Sequence, residues 1–161
     1  MRGIVLGNAI GLLVYAAAYF ACPAPHVADS TDARIAFALW LCAAPALLVY
    51  TAFFSCLRLR DSAEAVNPLL GGETLRWKVN QRVLTNSVEQ AAIFIPVLVA
   101  LATRVDAAHV QLLPISVGSW VAARIAFWIG YRRSPSWRSP GMAWTHSTTL
   151  LTIAWLVAFS V

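Results

Sequence analysis

The chain has 161 residues, 60% of them hydrophobic and only 12% charged, with a mean hydropathy of +0.69. A soluble domain carries about twice that charge fraction, so these values describe an integral membrane protein and exclude an ordinary soluble one. The net charge of +5 does not point to nucleic acid, because the basic residues sit in short clusters flanking apolar runs, the pattern of membrane-protein loops.

Five apolar stretches, roughly 3–22, 33–56, 79–103, 108–131 and 141–160, approach or exceed the ~20 residues a helical span needs. The first follows one arginine, and Tyr19-Phe20-Ala21-Cys22 loosely resembles a lipoprotein processing site. Its leading aromatic, where an aliphatic residue is usual, argues for a retained span over a cleaved signal. The connection at 23–35 holds Pro23, Pro25, Asp29 and Asp32; Asp29, Ser30 or Thr31 can cap the helix that follows.

The segment 57–75 contains Asn67-Pro68 and Gly71-Gly72, which break helices and turn the backbone. Thr74 can then cap a helix from Leu75 to about residue 103. At 1.5 Å per residue such a helix exceeds the hydrocarbon thickness, so its first turns, with Trp77, Lys78 and Arg82, protrude into the headgroups. Pro96 is expected to kink its second half. Arg2, Arg58, Arg60, Arg76, Lys78, Arg82, Arg132, Arg133 and Arg138 fall on one side of the membrane, against Arg34 and Arg104 on the other. The positive-inside rule therefore puts the N-terminus in the cytoplasm and the C-terminus outside. The expected compartment is a bacterial inner membrane. Cys22, Cys42 and Cys56 lack metal-ligand or redox-pair spacing and read as small buried hydrophobes, with no metal site implied. The tryptophans read as interface belts and helix packing.

Two polar stripes interrupt this apolar design. Arg82, Asn86 and Glu89, at i, i+4 and i+7, share one face of the third span, with Gln90 beside them. Arg124, Phe127 and Tyr131, at i, i+3 and i+7, share one face of the fourth, and Arg138 follows in its basic tail. Ionisable groups in a span cost roughly 2.5–3.5 kcal/mol each by insertion scales and usually face a partner, a cavity or a substrate. Both stripes lie at the cytoplasmic end and can face each other. Such a set suits a small anionic, amide-rich ligand: arginines for carboxylates, Glu89 for an ammonium group, Asn86 and Gln90 for peptide groups. The competing reading is that Arg82 or Arg124 simply pairs with Glu89 to tie helices together. His146, in Trp144-Thr-His-Ser-Thr-Thr149, reads either as a proton carrier or as a bundle residue bonded to hydroxyls.

The Arg82-x-x-x-Asn86-x-x-Glu89 motif opening one span, with Gly130-Tyr131 and a basic tail closing the next, resembles the membrane-associated proteins in eicosanoid and glutathione metabolism, the MAPEG family. The resemblance covers residues 36–161, with Arg58 and Arg60 closing its first core span. It implies an all-α membrane fold: a four-helix bundle over 33–161 preceded by an extra transmembrane helix and external loop over 1–32. It further implies a homotrimer with glutathione bound between adjacent subunits near the cytoplasmic face, open to membrane lipids for a hydrophobic or lipid substrate. By resemblance Arg82, Asn86 and Glu89 match the glutathione-binding triad, and Gln90, Arg124 and Arg58 are further binding candidates. Tyr131 and Arg138 match catalytic positions, Arg138 holding the thiolate. The implied activity is a glutathione-dependent transferase or peroxidase, with a non-catalytic lipid- or ligand-binding scaffold as the alternative on the same fold. Two positions depart from relatives that carry tyrosines there: Phe127 and Gln90 lack the phenol.

Overall fold

Where apolar runs of this length meet lipid, the backbone satisfies its hydrogen bonds internally, and helices result. The computed structural model describes residues 2–60, 73–134 and 136–161, and these are helical with no strand among them. The helices are α1 (Arg2–Ala21), α2 (Thr31–Leu41), α3 (Ala43–Leu57), α4 (Leu75–Arg104), α5 (Leu112–Arg133) and α6 (Ser139–Ala158), with a short 3-10 turn at Ala107–His109. The predicted turns at Asn67-Pro68 and Gly71-Gly72 lie outside the described residues.

The local signals act where the residue types place them. Ser30 accepts from the Ala33 amide at 3.2 Å to start α2, and Thr74 accepts from the Trp77 amide at 3.2 Å to start α4. Each satisfies one of the free N–H groups of a helix start. Asp106 caps the 3-10 turn through the His109 amide at 2.9 Å, and the hydrogen bond from the His109 ring holds its carboxyl below the usual range. The expected second span is two helices meeting at Cys42. Pro45 explains the joint, since it lacks the N–H that would bond Leu41 and its ring crowds that carbonyl. Pro96 does not interrupt α4, which continues through it to Arg104.

Four segments are long and apolar enough to cross a membrane: α1, Thr31–Leu57, α4 and Ala107–Arg133. α6 is not among them, because the hydroxyl-rich run from Thr145 lowers its hydropathy. Those hydroxyls face inward. Thr145, Thr149 and Thr152 are buried and donate to the carbonyls of Gly141, Thr145 and Thr148, four residues back. α6 still traverses the bundle, since it runs beside α1 from the Gly3–Ser139 contact to the stacked rings of Tyr19 and Trp155, 5.9 Å apart. The chain is an all-α, multi-pass integral membrane protein.

Helices α4 and α5 are antiparallel, joined by Trp128 donating to Asn80 at 3.1 Å, by Arg124 on Ser87, and by the stacked rings of Phe94 and Trp120. Helix α6 lies antiparallel to α5 through Ser119–Thr148 at 2.8 Å and Thr152–Ser116 at 3.2 Å. The apolar core, including Phe94, Leu98, Leu101, Leu112, Leu113 and Trp120, fills one half of the bundle. That leaves the opposite half, where α4 begins and α5 ends, to the polar stripes.

Candidate functional site

With Thr74 fixing the start of α4, 3.6 residues per turn bring Arg82, Asn86 and Glu89 onto one wall of a cavity of about 530 Å3. The volume falls within the roughly 300–1,000 Å3 of small-molecule sites. Asn86 Nδ2 donates to Glu89 Oε2 at 3.4 Å, while Asn86 Oδ1 is buried with no hydrogen-bond partner. Such an orphaned acceptor costs free energy until a donor reaches it.

The facing wall comes from the end of α5 and the turn into α6. A Cβ on Gly130 would fall on the Trp137 carbonyl, so only glycine lets the turn fold back this closely. The fold-back carries Arg138 onto Tyr131. Its Nη1 donates to the phenol oxygen at 2.9 Å and its guanidinium lies 5.0 Å from the ring centroid. The Tyr131 hydroxyl, accepting from a cation, keeps its own hydrogen for a ligand. α6 contributes Ser139, Met142, Ala143 and His146, at i, i+3, i+4 and i+7, and α1 contributes Ile4. His146 therefore stands on the cavity wall with its side chain exposed.

Among the described residues the ion pairs are Arg34–Asp29, at the start of α2, and His109–Asp106, in the 3-10 turn before α5, and none of these residues lines the cavity. Arg82 and Arg124 lie beyond 4 Å of the Glu89 carboxylate, so the helix-tie reading of these charges is not the geometry found. Two cations and one carboxylate line the cavity without being spent on each other.

Five of the eight residues singled out from the sequence converge here: Arg82, Asn86, Glu89, Tyr131 and Arg138. Three do not. Gln90, one position past Glu89 and so about 100° round the helix, is buried away from the cavity. Arg124 shares the stripe of Tyr131 but lies two turns from it and is fully buried. Its Nε and Nη2 donate to Ser87 Oγ at 3.3 and 3.0 Å, and its guanidinium lies 4.1 Å from the Phe127 ring centroid, so it backs the Phe127 wall. Arg58 caps the end of α3 and does not line the cavity. Ile4, Thr85, Ser139 and Met142 were not signalled by any motif. The one readable trace of α1's place was the repeat Gly3-x-x-x-Gly7-x-x-x-Gly11, the small-residue spacing of close helix packing in membranes.

Compared with known proteins, the chain matches the sequence model of the MAPEG family over residues 33–159. No curated protein sequence gives a significant match.

Proposed function

Since the chain belongs to the MAPEG family, a family of glutathione and eicosanoid metabolism, we propose that it is a membrane-bound glutathione-dependent transferase or peroxidase acting on a hydrophobic electrophile or lipid hydroperoxide. The observation that carries this reading is the set of unspent charges in one cavity, Arg82, Glu89 and Arg138, around the orphaned Asn86 carbonyl. A tripeptide that brings a carboxylate, an ammonium, internal amides and a thiol offers a partner to each of these groups.

In this reading Arg82 takes a carboxylate, bidentate where geometry allows. Glu89 takes the ammonium, and Asn86 Oδ1 accepts a peptide N–H. When bound, glutathione would supply a nucleophilic sulfur that, on losing its proton, bonds to an electrophilic carbon as that carbon's leaving group departs. With a hydroperoxide the sulfur would instead take an oxygen as the O–O bond breaks to release an alcohol, a second glutathione then converting the sulfenic acid to disulfide and water. A free thiol of pKa near 8.5 is only a few per cent ionised at pH 7, and lowering that value by two units takes about 2.7 kcal/mol. Arg138 supplies it by placing a permanent cation at the sulfur, and the Tyr131 hydroxyl donates a hydrogen bond to the same atom. Phe127 and Met142 offer the apolar second substrate a dry wall.

Placed by the basic clusters, the cavity opens at the cytoplasmic face, with the N-terminus inside and the C-terminus outside. The homotrimer implied by the family finds a contact face in an apolar groove of about 760 Å3 between α3 and α4, lined by Tyr50, Phe53, Leu84, Val88 and Ile95. In the family's arrangement glutathione lies between adjacent subunits, so a neighbouring subunit would complete the site whose residues are named above.

Purified protein in detergent, assayed with glutathione against electrophiles and lipid hydroperoxides, is expected to bind glutathione and turn over at least one apolar acceptor. Binding without turnover across the panel would leave the scaffold reading in its place. Absence of both would remove glutathione from the account.

A further inference from the structure

Helix α1 lies outside residues 33–159, the stretch matched by the family. We propose that α1 is a fixed wall of the substrate cavity and that Ile4 sets the size of the apolar group the site admits. This rests on the thiol-transfer reading above and assigns a specificity-determining residue to it.

The attachment of α1 is close along its whole length. A Cβ on Gly7 would fall on the Pro140 carbonyl and lie 2.7 Å from Pro140 Cα; one on Gly11 would lie 2.6 Å from Trp144 Cδ1. Only glycine permits these approaches, and the dispersion contacts they allow drive helix association where lipid and side chain are equally apolar. Polar bonds fix the register. Ser147 Oγ donates to Asn8 Oδ1 at 2.9 Å, and the Tyr15 and Ser116 hydroxyls bond at 2.7 Å. A helix so held is a wall and not a loose tether.

Ile4, one residue past Gly3 where α1 meets the start of α6, lines the cavity. The cavity therefore has a polar wall on α4 and an apolar one from Ile4, Phe127, Met142 and Ala143. Ile4 is half exposed and is followed by Val5 and Leu6, apolar residues that are both more than half exposed. Its side chain thus stands where the cavity meets the surface from which a membrane-dissolved substrate arrives. A larger side chain there narrows the space left for an apolar group attached to the sulfur, while the polar wall on α4 is untouched.

S-alkyl conjugates of glutathione test this without requiring turnover, because they carry the anionic part and the apolar part in one molecule. Glutathione and S-hexylglutathione are titrated into the full-length protein in detergent, as wild type, Ile4→Trp and Val5→Trp. The expected result is a Kd ratio, S-hexylglutathione over glutathione, about tenfold higher in Ile4→Trp than in wild type and within twofold of wild type in Val5→Trp. Retained glutathione binding reports that each variant is folded. An unchanged ratio in Ile4→Trp, or an equal rise in Val5→Trp, overturns the inference. So does wild-type protein that binds glutathione but not the hexyl conjugate, a result that leaves the thiol-transfer reading standing. Wild-type protein that binds neither overturns both.

Discussion

Replacing Arg138 with alanine is expected to lower the rate of glutathione conjugation by about 10²–10³-fold, the usual cost of removing one preorganised donor from developing negative charge. Two losses combine in this variant. The cation that favours the ionised sulfur disappears, and Tyr131 loses the 2.9 Å bond that orients its hydroxyl. The ultraviolet absorbance of bound thiolate should vanish with it, while glutathione still binds through Arg82, Asn86 and Glu89. Arg138→Lys is expected to recover only part of the rate, because an ammonium keeps the charge but not the planar fork that holds the phenol. A kcat within twofold of wild type in Arg138→Ala would remove Arg138 from the chemistry.

The largest expected effect on the fold comes from Gly141→Val. A Cβ at this position falls on the Phe127 backbone and would approach Phe127 Cβ to 2.8 Å, so α5 and α6 must separate to admit it. Separation weakens the Ser119–Thr148 and Ser116–Thr152 bonds and moves Met142 and Ala143 away from the cavity. Overpacking of this kind typically costs about 1–3 kcal/mol, with more where backbone must shift. Thermal unfolding in detergent should show Gly141→Val well below wild type and with impaired glutathione binding. Gly118→Ala is the control, since a Cβ there meets nothing within 4 Å. Equal unfolding temperatures for the two variants would contradict the close packing of α5 on α6.

Much of this arrangement could be read from residue types because it depends on local chemistry. Thr74 and Ser30 cap helices through their own hydroxyls, and the triad at 82, 86 and 89 needs only helical geometry to form one face. Most of what escaped was set by tertiary contact. The joint at Cys42 is an exception: it follows locally from Pro45, within an apolar run long enough to read as one span. The depth at which a stripe stops facing a cavity is not encoded in its spacing: Arg124 and Tyr131 are seven residues apart on one face, but Phe127 closes the wall between their environments. Gln90 failed for the simpler reason that adjacent residues on a helix point about 100° apart. The stretch 141–160 was legible as a helix of the bundle, but the inward turn of its threonine hydroxyls was not. His146 could not be assigned from its neighbours in sequence because its surroundings come from other helices.

Calorimetric titration of glutathione into the purified chain, as wild type, Arg82→Ala and Glu89→Gln, tests most directly whether the unspent charges form a ligand site. A charge-assisted hydrogen bond contributes about 1.5–3 kcal/mol, so each variant is expected to weaken binding by tenfold or more relative to wild type. No heat of binding in the wild type, or three equal Kd values, would contradict it.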